Sequence, residues 1–267
     1  MAAGRRGSRQ CRPGVPGAVA GPRAGPEDAS MSRRPHPPSR LQRRLACHQA
    51  LHDPVREPRN RLRWLPELRR WQAQRLEESF ERFLADPRRR PAAHFFLTDV
   101  YGDHDFSRRD ADLARVLPVM EGLLPAALLD TVADGIELGV LTQALDLRMA
   151  DALGGLAPRR RTLDGTLYAT AYRAVGLHRL RDRQIALIGR VGHGLEHAVR
   201  TAGIGMLLRL SRGPARAAGL AELQGFLERG FEAFAKLDGA RAFLEEIQRD
   251  ERTLAARLFA GDPAPFR

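Results

Sequence analysis

Three features of the sequence predict an all-α fold. Leucine dominates the apolar residues, those residues recur at helical spacing, and Pro and Gly punctuate the chain at helix-length intervals. Only five Ile and eleven Val stand against 37 Leu, a balance that favours helix over strand. No apolar run alternates at period two, and no fixed-period repeat points to a solenoid. The expectation is a single domain of about eight to ten helices without a sheet, spanning 41–267 and preceded by an Arg/Pro/Gly-rich disordered lead at 1–40.

From residue 41 onward the helical pattern is nearly continuous. Leu41, Leu45, His48 and Leu51 mark a first helix that must stop before Pro54. Residues 54–60 read as a turn, and Pro66 is tolerated in the first turn of the next helix, where its missing N–H has no helical partner. Leu68, Trp71, Leu76, Phe80, Phe83 and Leu84 then draw one apolar stripe that ends at Pro87. An aromatic helix is predicted over 92–101, closed by a turn through Gly102, and Ser107 opens the next helix three residues before Asp110. Pro118 is expected to kink or split that helix. Further helices are predicted over 125–153, 164–177, 179–200, 204–210, 214–237 and 238–260, the last capped by Asp238 and stopped by Gly261-Asp262-Pro263. Gly192, Gly194, Gly203 and Gly205 read as helix-interior points of close packing. Phe226, Phe231, Phe234 and Phe243 read as core.

The charge is unevenly placed. The chain of 267 residues carries a net charge of +12, with 43 Arg and a single Lys at 236. Residues 1–90 hold 21 Arg against 9 acidic residues, whereas 91–267 balance at 23 of each. A compact basic nucleic-acid module, which wears its charge on the folded body, is therefore disfavoured. An arginine-only excess accompanied by much Ala, Gly and Pro also points to genomic composition. The lead holds seven Pro, six Gly and eight Arg, with no apolar stretch long enough for a secretory signal. Met31 offers an alternative start, which would lower the net charge to +9. Cys11 and Cys47, in unlike contexts, read as reduced thiols. With no window near the ~20 apolar residues of a membrane span, a soluble cytoplasmic protein with no membrane association is expected.

Trp71-Gln72-x-x-Arg75-Leu76, Phe95-Phe96-Leu97-Thr98-Asp99-Val100-Tyr101-Gly102 and Asp105-Phe106-Ser107-x-Arg109-Asp110 form an unusual string. Gly219-Leu220-x-x-Leu223-Gln224-x-Phe226-Leu227-Glu228-x-Gly230-Phe231 adds to it near the C-terminus. Together these segments, over about residues 62–262, resemble an uncharacterised bacterial helical family, a domain of unknown function with an FFLxDxYG signature. The resemblance implies a bacterial source and one helical domain; it implies no reaction, ligand or catalytic residue.

Candidate sites follow from residue type and spacing. The segment 99–110 crowds Tyr101, Asp105, Arg109 and Asp110 onto a connection between apolar helices. That density suits a general acid/base or phosphate site, though a capped turn is the favoured reading. His193 and His197 lie at i and i+4, one helical turn apart, a spacing that lets two imidazoles reach one metal ion. No third ligand adjoins them, and His178 is the only other imidazole nearby in sequence. GxSxG, a P-loop and a Cys–His pair beyond residue 90 are all missing, and no cofactor motif is present. The basic stretch 31–90, with Arg43, Arg44, Arg56, Arg59, Arg61, Arg63, Arg69 and Arg70 around Trp64 and Trp71, is a candidate polyanion surface.

The favoured expectation is a non-enzymatic helical domain that binds a protein partner or itself. The alternatives are a small-molecule or metal-dependent enzyme using 99–110 with His193 and His197, and nucleic-acid binding through 31–90.

Overall fold

The computed structural model describes residues 39–100, 107–237 and 240–266, the side chains of 107–111 excepted. These residues all fall in one compact unit, Pro38–Arg267. Among them are eleven α-helices and no strand: α1 (Arg40–His52), α2 (Trp64–Ala85), α3 (Arg90–Phe95), α4 (Ser107–Leu123), α5 (Ala126–Leu156), α6 (Gly165–Val175), α7 (His178–Arg200), α8 (Ile204–Leu210), α9 (Arg212–Ala217), α10 (Ala221–Ala235) and α11 (Ala240–Ala260). A 3-10 turn at Pro58–Arg61 joins α1 to α2, and α3 runs on into a single π-turn at Phe96–Val100. No helix of the described residues is long and apolar enough to cross a membrane.

Local chemistry explains the boundaries. Ser39 and Gln42 form a reciprocal capping box at the start of α1, each side chain accepting from the other's backbone N–H at 3.0 Å. The Ser39 hydroxyl also donates to Glu121 Oε1 at 2.6 Å, which pins α1 to α4. Asp164 caps α6 by accepting from the Leu167 N–H at 2.8 Å. Two positions depart from expectation. Pro118 does not divide α4, because it lies on the exposed side of the helix, where the carbonyl it deprives of a partner can turn to water. The helix predicted over 214–237 is two, α9 and α10, because Gly219 adopts φ +74° and turns the chain, with Leu220 N–H bonded back to Ala215 O at 2.8 Å. Asp238, the predicted cap of α11, lies outside the described residues.

α5, 31 residues and about 46 Å long at 1.5 Å per residue, is the central helix. It packs on α7, α1, α2 and α6. One apolar cluster joins Trp64, Leu68, Leu147, Met149, Leu153, Tyr168, Tyr172 and Leu258 at one end of the bundle. A second joins Phe80, Phe83, Phe95, Phe96, Leu187, Phe234, Phe243 and Leu244 from α2, α3, α7, α10 and α11. Phe234 and Phe243 are core, as predicted, while Phe226 and Phe231 are half-buried at its edge.

α7 meets its neighbours through glycines. A Cβ on Gly192 would overlap the Leu244 side chain of α11, one on Gly189 would overlap Gln248, and one on Gly194 would overlap Thr131 of α5. The close-packing expectation therefore holds for Gly192 and Gly194, and for Gly205, whose added Cβ would meet Phe231 at 3.0 Å. Gly203 is different: it stands before α8 in the left-handed region at φ +88°.

Two substitutions test this packing. Gly192→Val drives branched bulk into Leu244 and is expected to cost about 3 kcal/mol, lowering Tm by roughly 6–12 °C. Gly135→Ala, where an added Cβ meets nothing within 4 Å, should raise stability by about 0.5–1 kcal/mol through helix propensity. Thermal unfolding followed by circular dichroism reads both, and an unchanged melt for Gly192→Val would refute the packing account.

Candidate functional site

Three helices carry polar residues where their apolar stripes require apolar ones. In α2, Gln72 lies one turn from Leu68 and from Leu76. In α5, Gln143 and Asp146 continue the register of Ile136, Ala150 and Leu153. In α7, Arg181 begins the series Arg181, Ile185, Ile188, Gly192. Each of these positions faces the interior, and the bundle turns all of them onto one cavity of about 850 Å³. Leu45, His48 and His52 of α1, Tyr168 and Tyr172 of α6, and Glu251 and Leu254 of α11 complete this end of it.

Hydrogen bonds hold the lining in place. Asn60 Nδ2 donates to the carbonyls of Leu51 and Glu57 at 2.9 and 3.0 Å, Gln143 Nε2 donates to Asn60 Oδ1 at 2.6 Å, and Arg69 Nη2 donates to Gln143 Oε1 at 2.6 Å. Across the cavity Arg181 Nη1 donates to Gln184 Oε1 at 3.1 Å, and Gln184 Nε2 to Thr142 Oγ1 at 2.8 Å. Arg75 pairs with Glu251 at 3.3 Å. The aromatic walls are layered: Trp71 stacks on Tyr168 with centroids 4.3 Å apart, and the Arg181 guanidinium lies 4.7 Å from the Tyr172 ring centre. His48 and His52 stack at 4.2 Å.

Two charged groups in this lining are almost fully buried, Asp146 at 5% exposure and Arg181 at 7%. They do not form an ion pair with each other. Asp146 takes one hydrogen bond among the described residues, from Gln72 Nε2 to Oδ1 at 3.1 Å. Arg181 Nη2 is buried with no hydrogen-bond partner among them. Burial pushes the Asp146 carboxyl above its ordinary value, opposed first by the Arg181 charge, then by the Gln72 hydrogen bond, then by Arg69 and His52. Burial likewise pushes the Tyr172 phenol up, beyond the range in which it ionises in water near neutrality. A carboxyl pushed toward its protonated form, a guanidinium nitrogen without a described partner and aromatic side chains thus share one cavity wall.

The sequence candidates are described only in part. Tyr101 and Asp105 are outside the described residues, and Arg109 and Asp110 belong to α4 with side chains that are likewise outside them. Their neighbour Asp99 is placed: it accepts from Arg229 Nε at 2.8 Å and from the Thr98 hydroxyl at 2.8 Å, and it lines the far end of the cavity. His193 and His197 are exposed on α7, and His193 Nδ1 donates to the Gly189 carbonyl at 2.7 Å. His178 stacks on Phe259 at 3.5 Å. No group of three or more metal-capable side chains occurs among the described residues.

The arginines of α1 and α2 are largely engaged. Arg44 pairs with Asp134 and Glu137, Arg40 with Asp130 and Asp134, Arg59 with Glu57, Arg70 with Glu67, and Arg82 with Glu246 and Asp250. Arg63 caps the carbonyls of Ala157, Pro158 and Arg160. Trp64 is buried, and Trp71 is partly buried and stacked on Tyr168, so both rings pack on the core.

The chain matches the model of a protein family, a domain of unknown function (DUF8198), over residues 51–265, and it belongs to that family. No curated protein and no solved structure matches it.

The raised Asp146 pKa fixes a pH dependence. The folded state holds this proton more tightly than the unfolded chain, whose carboxyl titrates near its ordinary 3.8. Stability from this group is therefore fully present below that value and is lost as pH rises through the raised one. Asp146→Asn keeps an acceptor for Gln72 and removes the titration. It should melt close to wild type in acid and above it at neutral pH, with the gap widening as pH rises. A gap that is constant or narrows toward neutrality would show that the carboxyl is not held neutral.

Proposed function

We propose that this chain is a small-molecule-binding protein that encloses its ligand among α1, α2, α5, α6 and α7, in the cytoplasm of a bacterium. One observation carries the reading: Arg181, buried beside a cavity of about 850 Å³, presents a guanidinium nitrogen that no described residue satisfies. A buried donor left unmet costs about 1–3 kcal/mol, and more when charged. A ligand acceptor supplies the missing partner. The volume falls in the range of pockets that enclose a metabolite-sized molecule. The bacterial setting draws on the sequence resemblance, and the cytoplasmic one on the thiol of Cys47, which is free and exposed. Thermal-shift screening of the full chain against a chemically mixed metabolite set should find compounds that raise Tm, and Arg181→Met should abolish those shifts. Failure of every compound to stabilise the wild-type chain would overturn the reading.

A second reading, self-association, rests on α8. Met206 and Leu210 are 58% and 69% exposed at i and i+4, with Leu207 beside them, an apolar face on a seven-residue helix. Under this reading two copies bury α8 against each other. Light scattering after size exclusion should show a dimer for the wild-type chain and a monomer for Met206→Glu/Leu210→Glu. A wild-type chain that stays monomeric at all concentrations removes it.

A further inference from the structure

We infer that the occupant of the cavity is a small organic anion, a carboxylate on an apolar body, whose charged oxygens are taken by Arg181 between Gln184 and Tyr172. This inference rests on the small-molecule reading above and narrows it to one chemical class.

Two of the three arginines that line the cavity, Arg69 and Arg181, have no ion pair among the described residues. Arg75 is answered by Glu251, and Asp99 by Arg229. What remains is Arg69 and Arg181 against Asp146 alone. Arg69 spends an Nη2 hydrogen on the neutral Gln143, and Arg181 spends Nη1 on the neutral Gln184. Neither bond supplies a countercharge. An uncompensated cation in a low-dielectric interior is costly, and an anion placed against it gains more there than it would in water. A cationic ligand would instead add to the excess.

The geometry selects a carboxylate from among anions. Gln184 fixes one edge of the Arg181 guanidinium, and the Tyr172 ring lies against its face. The plane of the fork is thereby set, and Nη2 is left as the donor without a partner among the described residues on a side chain that lines the cavity. A planar, two-oxygen acceptor suits a fork held in this way. Asp146 stands in the same lining and is pushed toward its protonated form by burial. As a neutral carboxyl it can donate to a second ligand oxygen, whereas an ionised one would repel it. Tyr168, Ile185 and Leu254 set hydrocarbon and aromatic surface beside these polar groups, which suits a carboxylate carried on an apolar body.

Matched triplets test the class: 3-phenylpropanoate, 3-phenylpropanamide and 3-phenylpropylamine, and the smaller butanoate, butanamide and butylamine. Binding to the full chain is read by titration calorimetry and thermal shift. The acid of at least one triplet should bind tenfold or more tighter than its amide, with the amine weakest, and Arg181→Met should reduce the acid to the level of the amide. Arg181→Lys, which keeps the charge and loses the fork, covers the case in which Arg181→Met does not fold. It should weaken the acid about tenfold while preserving the order of acid over amine. Amides or amines that bind as tightly as acids would overturn the anion assignment and leave the small-molecule reading standing. So would an acid whose affinity is unchanged in both variants. Absence of binding by all six compounds, together with a mixed screen that finds no stabiliser of any charge, would overturn both.

Discussion

Asp146 and Arg181, both buried and yet not in contact, set the terms for the rest of the bundle. Taking either charge out of water costs several kcal/mol unless a partner compensates it. Leucines at 146 and 181 would continue the stripes of α5 and α7 and stabilise the fold directly. Instead the helices around these two residues are committed to polar side chains that support them: Gln72 on Asp146, Gln184 on Arg181, and the Thr142 hydroxyl on Gln184. The cavity is the other consequence. Polar side chains that must reach one another's hydrogen bonds cannot interdigitate as branched hydrocarbons do, and the space between α1, α2, α5 and α7 stays open.

The stability spent there is recovered at both ends of the bundle. Trp64, Leu68, Met149 and Leu153 close one side with almost no exposure, and Phe83, Phe234, Phe243 and Leu244 close the other. Glycines on α7 let Leu244 and Gln248 of α11 and Thr131 of α5 approach its backbone closely. The arginine excess of the N-terminal third also finds a structural role in this arrangement. Arg40 and Arg44 reach the acids of α5, to which Arg183 and Arg190 of α7 also pair, and Arg75, Arg82 and Arg89 reach those of α11. A local charge imbalance along the sequence thus becomes matched charge between helices. Each exposed pair is worth little alone, about 0–1 kcal/mol, but together they orient α1 and α2 around the cavity.

Helix positions were legible because period and punctuation act locally. Leu68, Leu76, Phe80 and Phe83 announce the buried face of α2 whatever packs on it, and Pro87 and Gly261 stop helices by their own backbone chemistry. Gly219 was misread because a glycine inside a helical pattern signals either close packing or a left-handed turn, and only the neighbouring chain decides between them. The site was harder still. Gln72, Gln143, Asp146 and Arg181 each look like a solvated polar residue when helices are read one at a time. Their common signal was register, since all four stand where an apolar residue belongs. That signal says a polar group is buried; it does not say that three helices turn those groups toward one another, which is a tertiary fact. Density of ionisable residues points instead to 99–110, most of whose side chains lie outside the described residues.

The position of Asp99 relates the two regions. It lies at the end of the FFLxD stretch, on the π-turn that follows α3, and its carboxylate lines the cavity opposite the Asp146 end while pairing with Arg229 of α10. π-turns cost backbone regularity and persist where a side chain must be re-aimed. Here the extra residue accompanies Phe96 packed into the core and Asp99 turned to Arg229, two residues that a regular α-turn would leave only about 60° apart on one face at 100° per residue. The segment with the most distinctive sequence therefore contributes Phe95, Phe96 and Asp99 to the wall of the same chamber that Asp146 and Arg181 line, so its aromatic and acidic residues and the misplaced polar residues of α2, α5 and α7 answer to a single constraint: a chamber walled by hydrocarbon that carries charge at more than one place.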